Sequence, residues 1–247
     1  MPLVSFVMPN KNRAEYLPES IGTILEQTLE DIELIVVDDE STDNSKDIIE
    51  EFRKKDKRVV PLYLKNQKDL YVAERIDRAR NIGNQAAKSK YICVADSDDW
   101  YLPRRAQLTY EYLERKREYD LFYGAYCQRD KLGKRSLKLQ YFMPAKSFSA
   151  RQLKETGLFF IGHFTVGYRR ETILKYPYNS DTGVGDWGMF YNLLIRRKVK
   201  SCFTEEPLCI YRVYKEALNQ IDDLEFKKYL LAKKKKKMEL LGELRNI

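Results

Sequence analysis

The sequence predicts an α/β protein built on a Rossmann-type, mostly parallel sheet flanked by helices. Three observations predict it. Strand-like and helix-like patterns alternate through the first hundred or so residues, which implies right-handed crossovers between parallel neighbours. Two of the strand segments, at 32–37 and 91–95, are nearly continuous apolar runs, as expected when helices cover both faces of a sheet. The polar residues that follow the strands (Pro9 to Asn12, Asp38-Asp39 and Asp96 to Asp99) fall at carboxyl ends, where such sheets bind ligands.

Taken in order, Val4 to Met8 is β-rich and stops at Pro9. Leu17, Ile21, Ile24, Leu25 and Thr28 then make one helical face. Ile32 to Val37 is a second strand, halted by Asp38-Asp39. The polar stretch from Glu40 to Ser45 supplies helix caps ahead of Ile48, Ile49 and Phe52. Val59 to Leu64 is a third strand. Val72, Ile76, Ala79, Gly83 and Ala86 mark a helix, and Tyr91 to Ala95 is a fourth strand. The second half is less regular. Asp120 to Gln128 and Leu137 to Phe142 read as strands around a turn at Lys131-Leu132-Gly133-Lys134. Thr165 to Tyr168 and Leu208 to Val213 read as further strands. Trp187, Phe190, Tyr191 and Leu194 have helical spacing just after Asp186.

The 247 residues suffice for a substantial core, and 43% are hydrophobic, which excludes a disordered chain. No apolar run approaches the roughly 18 residues that cross a bilayer. The N-terminus lacks a basic region and reads as a strand, so a cytoplasmic location is expected. Four scattered cysteines form no C-x-x-C pair, which argues against a zinc site or disulfide framework. The formal net charge is +8, and Lys233 to Lys237 is an unbroken basic run. One domain over residues 1–223 and a basic helical tail over 224–247 are expected.

The acidic cluster Asp96-Ser97-Asp98-Asp99 ends a core strand. Alternation along an extended chain puts Asp96 and Asp98 on one side and Asp99 elsewhere. Two carboxylates about 4 Å apart repel by roughly 4 kcal/mol at an effective dielectric of about 20. A divalent cation, a shared proton or splaying into water would each relieve this. Hard oxygen ligands in small number suit Mg²⁺ or Mn²⁺. The other reading is a solvated loop that caps the next helix.

Four segments together resemble the family 2 glycosyltransferases with the GT-A fold: Val7-Met8-Pro9-Asn10-Lys11-Asn12, then 33–43 from Glu33 to Asp43, then Ala79-Arg80-Asn81-Ile82-Gly83, then Tyr91 to Asp99. The resemblance is strong over residues 3–105 and weaker to about 213. It implies a nucleotide-sugar-binding half at 1–105 and an acceptor half at 106–223. It also implies an inverting, metal-dependent transfer from a nucleoside-diphosphate sugar, UDP-linked by expectation, to a glycan or lipid-linked acceptor. By it, Pro9 and Asn12 lie beside the nucleotide, Asp39 contacts the base, and Arg80 and Asn81 line the nucleotide pocket. Arg80 as a plain surface charge is the competing reading. Asp96 and Ser97 belong to the ribose side, Asp98 is the metal ligand, and Asp99 is the second candidate. Glu40 stands where many members have glycine, which predicts a small change in loop shape.

The family places its catalytic base in a Glu-Asp pair at a helix start. Gly185-Asp186 holds that place here, so the resemblance gives Asp186 the role; a helix cap worth about 1 kcal/mol is the structural alternative. His163, the only histidine, and Trp187 fall on the acceptor side by the same resemblance, or serve the core. Tyr211-Arg212 resembles the family's Tyr-Arg pair, with Tyr214 where relatives often carry histidine. The tail alternates basic and apolar residues. It is compatible with peripheral binding to the inner face of an anionic membrane, or with packing on the domain. A nucleotidyltransferase would want a glycine-rich loop after the first strand, which Pro9 to Arg13 lacks. A non-catalytic nucleic-acid module fits poorly with carboxylates at the ligand edge.

Overall fold

A computed structural model describes residues 1–65, 72–130, 140–142, 161–179 and 185–213. The turn expected at 131–134 and the tail at 224–247 lie outside the described residues. So does the first part of the strand expected at 137–142, of which Gln140–Phe142 is described.

Strands β1 (Val4–Asn10), β2 (Ile32–Asp38), β3 (Val59–Tyr63) and β4 (Tyr91–Val94) pair in parallel, in the order β3-β2-β1-β4. Helices α1 (Leu17–Leu25), α2 (Ser45–Lys55) and α3 (Val72–Ala86) connect them. Registers such as Val4↔Ile32 and Val4↔Tyr91 align the strand starts. The ends of β1, β2 and β4 therefore emerge together, and the polar residues after them meet at one edge.

The period-2 alternation of each strand feeds two cores. Val4, Phe6 and Met8 of β1, with Leu34 and Val36 of β2, pack against Leu17, Ile21, Ile24 and Ile49 on one face. Val7, Ile35 and Val37 point to the other face, with Ala79 of α3. Gly83 lets α3 lie close to the sheet, since a Cβ there would run into the Val7 side chain. That contact gives the glycine of Arg80-Asn81-Ile82-Gly83 a packing reason.

The sheet continues past β4 with β8 (Gly167–Arg169), β6 (Leu121–Asp130), β9 (Ser201–Val213) and β5 (Trp100–Tyr101), while β7 (Gln140–Phe142) pairs with β6. Here the pairings turn mixed. The β4–β8, β6–β8 and β5–β9 ladders are antiparallel and β6–β9 is parallel. The parallel half is thus the N-terminal one. The expected strand from Thr165 begins instead with a 3₁₀ turn at His163–Thr165. β9 starts seven residues before the expected Leu208, because a register shift absorbs the polar Thr204 to Glu206 segment. Helix α5 (Arg170–Lys175) and helix α6 (Gly185–Phe190) join the second core, α6 running into a π-helical turn over Tyr191–Arg196.

Two elements had no clear signal in the sequence. β5 follows the acidic cluster directly, and α4 (Arg105–Arg115) follows β5. α4 starts from Arg104 with no side-chain cap, so the acidic cluster does not cap it and that reading falls. Arg105 of α4 is fully buried. Its guanidinium sits 4.7 Å from the Tyr101 ring centroid and 5.6 Å from that of Phe6, and donates to the carbonyls of Val94 and Val166. Among the described residues no helix is long and apolar enough to cross a membrane.

Candidate active site

The strand ends of β1, β2 and β4 floor a cavity of about 400 Å³. Its lining includes Pro9, Asp39, Arg80, Asp96, Ser97 and Asp98, six of the residues singled out from sequence. A second cavity of about 450 Å³ adjoins it and contains His163 and Asp186. Ile76, Arg80, Asp96 and Tyr211 line both, so the two adjoin at the Arg80–Asp96 pair.

The acidic loop is a turn rather than an extended chain, yet it sorts its side chains as expected. Asp96 and Asp98 face the first cavity. Asp99 is buried and turned away, its Oδ1 accepting the Arg212 N–H at 2.9 Å while Oδ2 has no hydrogen-bond partner. Asp99, the second candidate for the metal, thus lies outside this cavity's lining, with one carboxylate oxygen bonded to β9. The loop is anchored on both sides. The Tyr101 hydroxyl donates to Asp96 O at 2.9 Å, and Arg212 Nε donates to Asp98 O at 2.7 Å.

Crowded carboxylates leave their mark on the titration. Burial, then Asp98 and Asp186, raise the Asp96 carboxyl above its ordinary value, against the opposing pull of Arg80. Burial and the two neighbouring aspartates push Asp99 well up. Arg80 Nη2 donates to Asp96 Oδ1 at 3.1 Å. Burial opposes the Arg80 charge, but Asp96, Tyr178, Asp77 and Asp186 outweigh it and hold its pKa above the usual arginine value. Arg80 is 8% exposed, which removes the reading of a plain surface charge.

At the far end of the first cavity Asp39 is buried, with Oδ2 accepting from Arg75 Nε at 2.8 Å and Oδ1 left without a partner. Its neighbour Asp38 is structural: its carboxylate accepts from Asn10, Ser41 N and the Ser41 hydroxyl. Glu40 adopts φ 55, the left-handed backbone a glycine takes freely and another residue adopts at roughly 1–2 kcal/mol. Lys11 Nζ donates to the carbonyls of Asp39 and Glu40 and holds this turn. The departure from glycine is thus accommodated as backbone strain.

Asn12 and Asn81 are placed outside both cavity linings. Asn12 Oδ1 accepts the Thr42 N–H at 2.8 Å, clamping the turn. Asn81 exchanges hydrogen bonds with the Tyr178 backbone at 2.9 and 3.0 Å. Their amides brace the walls instead of lining the pocket.

In the second cavity Gly185, at φ 74, turns the chain into α6, and its N–H donates to Asp77 Oδ2 at 3.0 Å. Asp186 is exposed, with Oδ1 accepting the Trp187 N–H at 2.8 Å. That bond fixes the carboxylate at the cavity mouth. His163 is buried, pairs its Nε2 with the Tyr178 hydroxyl at 2.8 Å, and meets Tyr178 and Phe190 edge-on. Burial, followed by Arg80 and Arg105, pushes its pKa well below the ordinary value, so the imidazole is neutral at physiological pH. Trp187 stacks on Tyr191 at 5.3 Å and packs against the second core without lining either cavity.

The donor chemistry suits a hard divalent cation in part. Asp96 and Asp98 offer carboxylate oxygens to the cavity. Among the described residues no three His, Cys, Asp or Glu side chains converge as a metal-holding group. A cation would therefore take its remaining ligands from diphosphate oxygens and water, the usual arrangement for Mg²⁺. Sequence reasoning missed Lys11, Arg13 and Arg75. Arg13 Nε reaches Asp98 Oδ2 at 3.2 Å, and such long-range pairs leave no local pattern.

A two-core sheet with a cleft of about 400 Å³ at its parallel carboxyl edge, lined by carboxylates and arginines, is an α/β architecture with a ligand-sized site at its strand ends. Residues 5–176 match the sequence profile of Glycosyl transferase family 2, and the chain belongs to that family. An uncharacterized glycosyltransferase of Methanocaldococcus jannaschii is 36% identical over 167 residues, which is 67% of this chain and 53% of the relative. The chain spans about half or less of the length of the curated relatives it matches. Among solved structures, S. aureus TarS 1-349 in complex with UDP has a TM-score of 0.64 at 16% identity, covering 100% of this chain and 71% of that one. The mannosyltransferase PcManGT of Pyrobaculum calidifontis, in complex with GDP-Man and Mn²⁺, has a TM-score of 0.61 at 14% identity, covering 89% and 59%. These likenesses show the GT-A fold.

Proposed function

We propose that the chain is an inverting, metal-dependent glycosyltransferase that moves a sugar from a nucleoside-diphosphate sugar, UDP-linked, to a glycan or lipid-linked acceptor. The observation that carries this reading is the pair of cavities adjoining at Arg80 and Asp96, with Asp98 in one and Asp186 in the other. The likeness in fold to proteins solved with UDP and with GDP-Man and Mn²⁺ supports it.

In this reading the first cavity holds the donor. Asp39 Oδ1, buried and unpartnered, offers an acceptor to an N–H of the base. Pro9 and Ser97 border the nucleoside, Asp96 meets the ribose, and Arg80 holds the Asp96 carboxylate in place. Asp98 would hold Mn²⁺ or Mg²⁺, with Asp99 behind it fixing the loop rather than facing the cavity. A bound cation would supply Lewis-acid stabilisation of the leaving diphosphate. In the second cavity Asp186 takes the proton from the acceptor hydroxyl on Oδ2, while Trp187 N–H holds Oδ1. The deprotonated oxygen then attacks the anomeric carbon from the face opposite the diphosphate. His163 shapes the wall as a neutral group through its bond to Tyr178.

Calorimetry with UDP tests the donor half. Mn²⁺ is expected to raise UDP affinity by about tenfold or more, equal to roughly 1.4 kcal/mol, and Asp98→Ala should remove that gain. Absence of binding by any nucleoside diphosphate in the presence of metal would remove the glycosyltransferase reading.

The basic tail at 224–247 is proposed to add a weak peripheral contact with anionic membrane, at about 1 kcal/mol per lysine near the surface. Binding to phosphatidylserine vesicles should weaken with salt and on removal of 224–247. Equal binding by the shortened chain would sink that role.

A further inference from the structure

The second cavity carries an aromatic wall that the transfer chemistry does not use. The Tyr211 and Phe164 rings stack nearly parallel, with centroids 4.9 Å apart and an interplanar angle of 9°. Tyr126 meets Phe164 edge-on at 4.9 Å. All three line the cavity that contains Asp186. Gly162 makes room for the stack, since a Cβ there would lie 2.8 Å from the Phe164 ring and 3.3 Å from Tyr126. Phe164 covers one face of Tyr211, yet Tyr211 is still 39% exposed, and so is Ile76 beside it at 36%. Tyr211 and Ile76 line both cavities, so apolar surface rimmed by Arg80 and Asp96 lies at their junction, as in ligand-binding grooves.

We infer that Tyr211, backed by Phe164 and Tyr126, is a stacking platform for a pyranose ring, so that the acceptor presents a sugar hydroxyl to Asp186. The inference rests on the donor and base assignments proposed above and adds the chemical class of the acceptor. A pyranose has one face of C–H bonds and a rim of hydroxyls. The C–H face matches the open ring of Tyr211, whose π surface is electron-rich. The rim matches Asp186, Asp96 and Arg80 on the same lining. A lipid tail would meet three charged groups at the cavity surface. A phosphorylated acceptor group would face the Asp96 and Asp186 carboxylates. A neutral sugar avoids both penalties.

The test is saturation-transfer NMR on the full chain with Mn²⁺ and UDP at ten times the dissociation constant measured for each variant. Methyl hexopyranosides and methyl N-acetylhexosaminides serve as probes. Carbon-bound protons on one ring face should receive saturation from the protein. Tyr211→Leu, which keeps an apolar side chain but no ring, should lower that signal roughly fivefold, the scale of a single aromatic contact. Tyr211→Phe should retain it. With UDP bound, absence of saturation on every pyranoside would overturn the platform, as would full saturation in Tyr211→Leu. Displacement of the pyranosides by rising UDP would place the sugar on the donor side and overturn it too. Failure of UDP itself to bind is a different result, and would strike the nucleotide-sugar reading instead.

Discussion

Asp186→Asn is expected to lower kcat for sugar transfer by about 10²–10⁴-fold, the range that a positioned general base contributes, while the protein still binds UDP with Mn²⁺. The substitution is nearly isosteric. An asparagine Oδ1 still accepts the Trp187 N–H that Asp186 accepts at 2.8 Å, so α6 keeps its first turn. What is lost is the negative charge that receives the acceptor proton in the proposed mechanism. The same charge acts on its neighbours: it raises both Arg80 and Asp96. Its removal should make Asp96 slightly more acidic and leave the Arg80–Asp96 pair intact. The measurement is single-turnover transfer together with UDP calorimetry on the same preparation. His163 is a poor substitute base, because burial and the charges of Arg80 and Arg105 disfavour its protonated form and its Nε2 is paired with the Tyr178 hydroxyl. Transfer at the rate of the unmodified protein would move the base to another residue.

The parallel half of the fold was legible because its physics is local. β2 is buried at every position, and a strand covered on both faces reads as a nearly continuous apolar run, interrupted here by Glu33, whose carboxylate accepts from the Ser5 hydroxyl. α4 was not legible for the opposite reason. Its inner face carries Arg105 and Thr109 beside Ala106, Leu108 and Leu113, and two polar residues in a buried stripe erase the apolar period. Arg105 is received there by the Val166 carbonyl and the Phe6 ring from distant segments, and by the nearby Tyr101 ring. The site shows the same division. Aspartates at strand ends could be read off the sequence, and so could their likeness to a family pattern. Alternation also separated Asp96 and Asp98 from Asp99; what holds Asp99 inward did not show, since it is the N–H of Arg212, more than a hundred positions away. Asn12 and Asn81 occupy the expected motif positions, but their amides are spent on Thr42 and on Tyr178, partners that no spacing rule reveals.

Arg212→Met is expected to destabilise the fold by about 3 kcal/mol and to weaken metal-dependent UDP binding. Arg212 is buried and ties three segments together. Its Nε donates to Asp98 O at 2.7 Å, its Nη2 reaches Glu19 Oε2 at 2.6 Å, and its guanidinium lies 3.6 Å from the Trp100 ring centroid. A charged donor to a buried carbonyl contributes about 1.5–3 kcal/mol and a desolvated cation–π stack up to about 2. Glu19 is more than half exposed, so its ion pair adds little. The loss should lower the melting point by roughly 6–12 °C for a chain of this size. Arg212→Lys should fall between, because an ammonium cannot stack and fork in the same way. The pH dependence separates the Glu19 share from the rest. The hydrogen bond from Arg212 holds the Glu19 carboxyl below its ordinary value of 4.5 against the effect of burial. A carboxyl depressed in the folded state stabilises above its unfolded pKa, and that share is lost as pH falls through the lower folded value. The gap between the original protein and Arg212→Met should therefore narrow slightly below about pH 4.5, while the larger part, from Asp98 O and Trp100, persists into acid. Because the same arginine sets the backbone of Asp98, Mn²⁺ should enhance UDP binding less in Arg212→Met than in the original chain, even at temperatures where both are folded. An unchanged melting point and an unchanged Mn²⁺ enhancement would show that the acidic loop keeps its shape without the Arg212 side chain, held by Tyr101, Arg13, Arg80 and the backbone N–H at position 212.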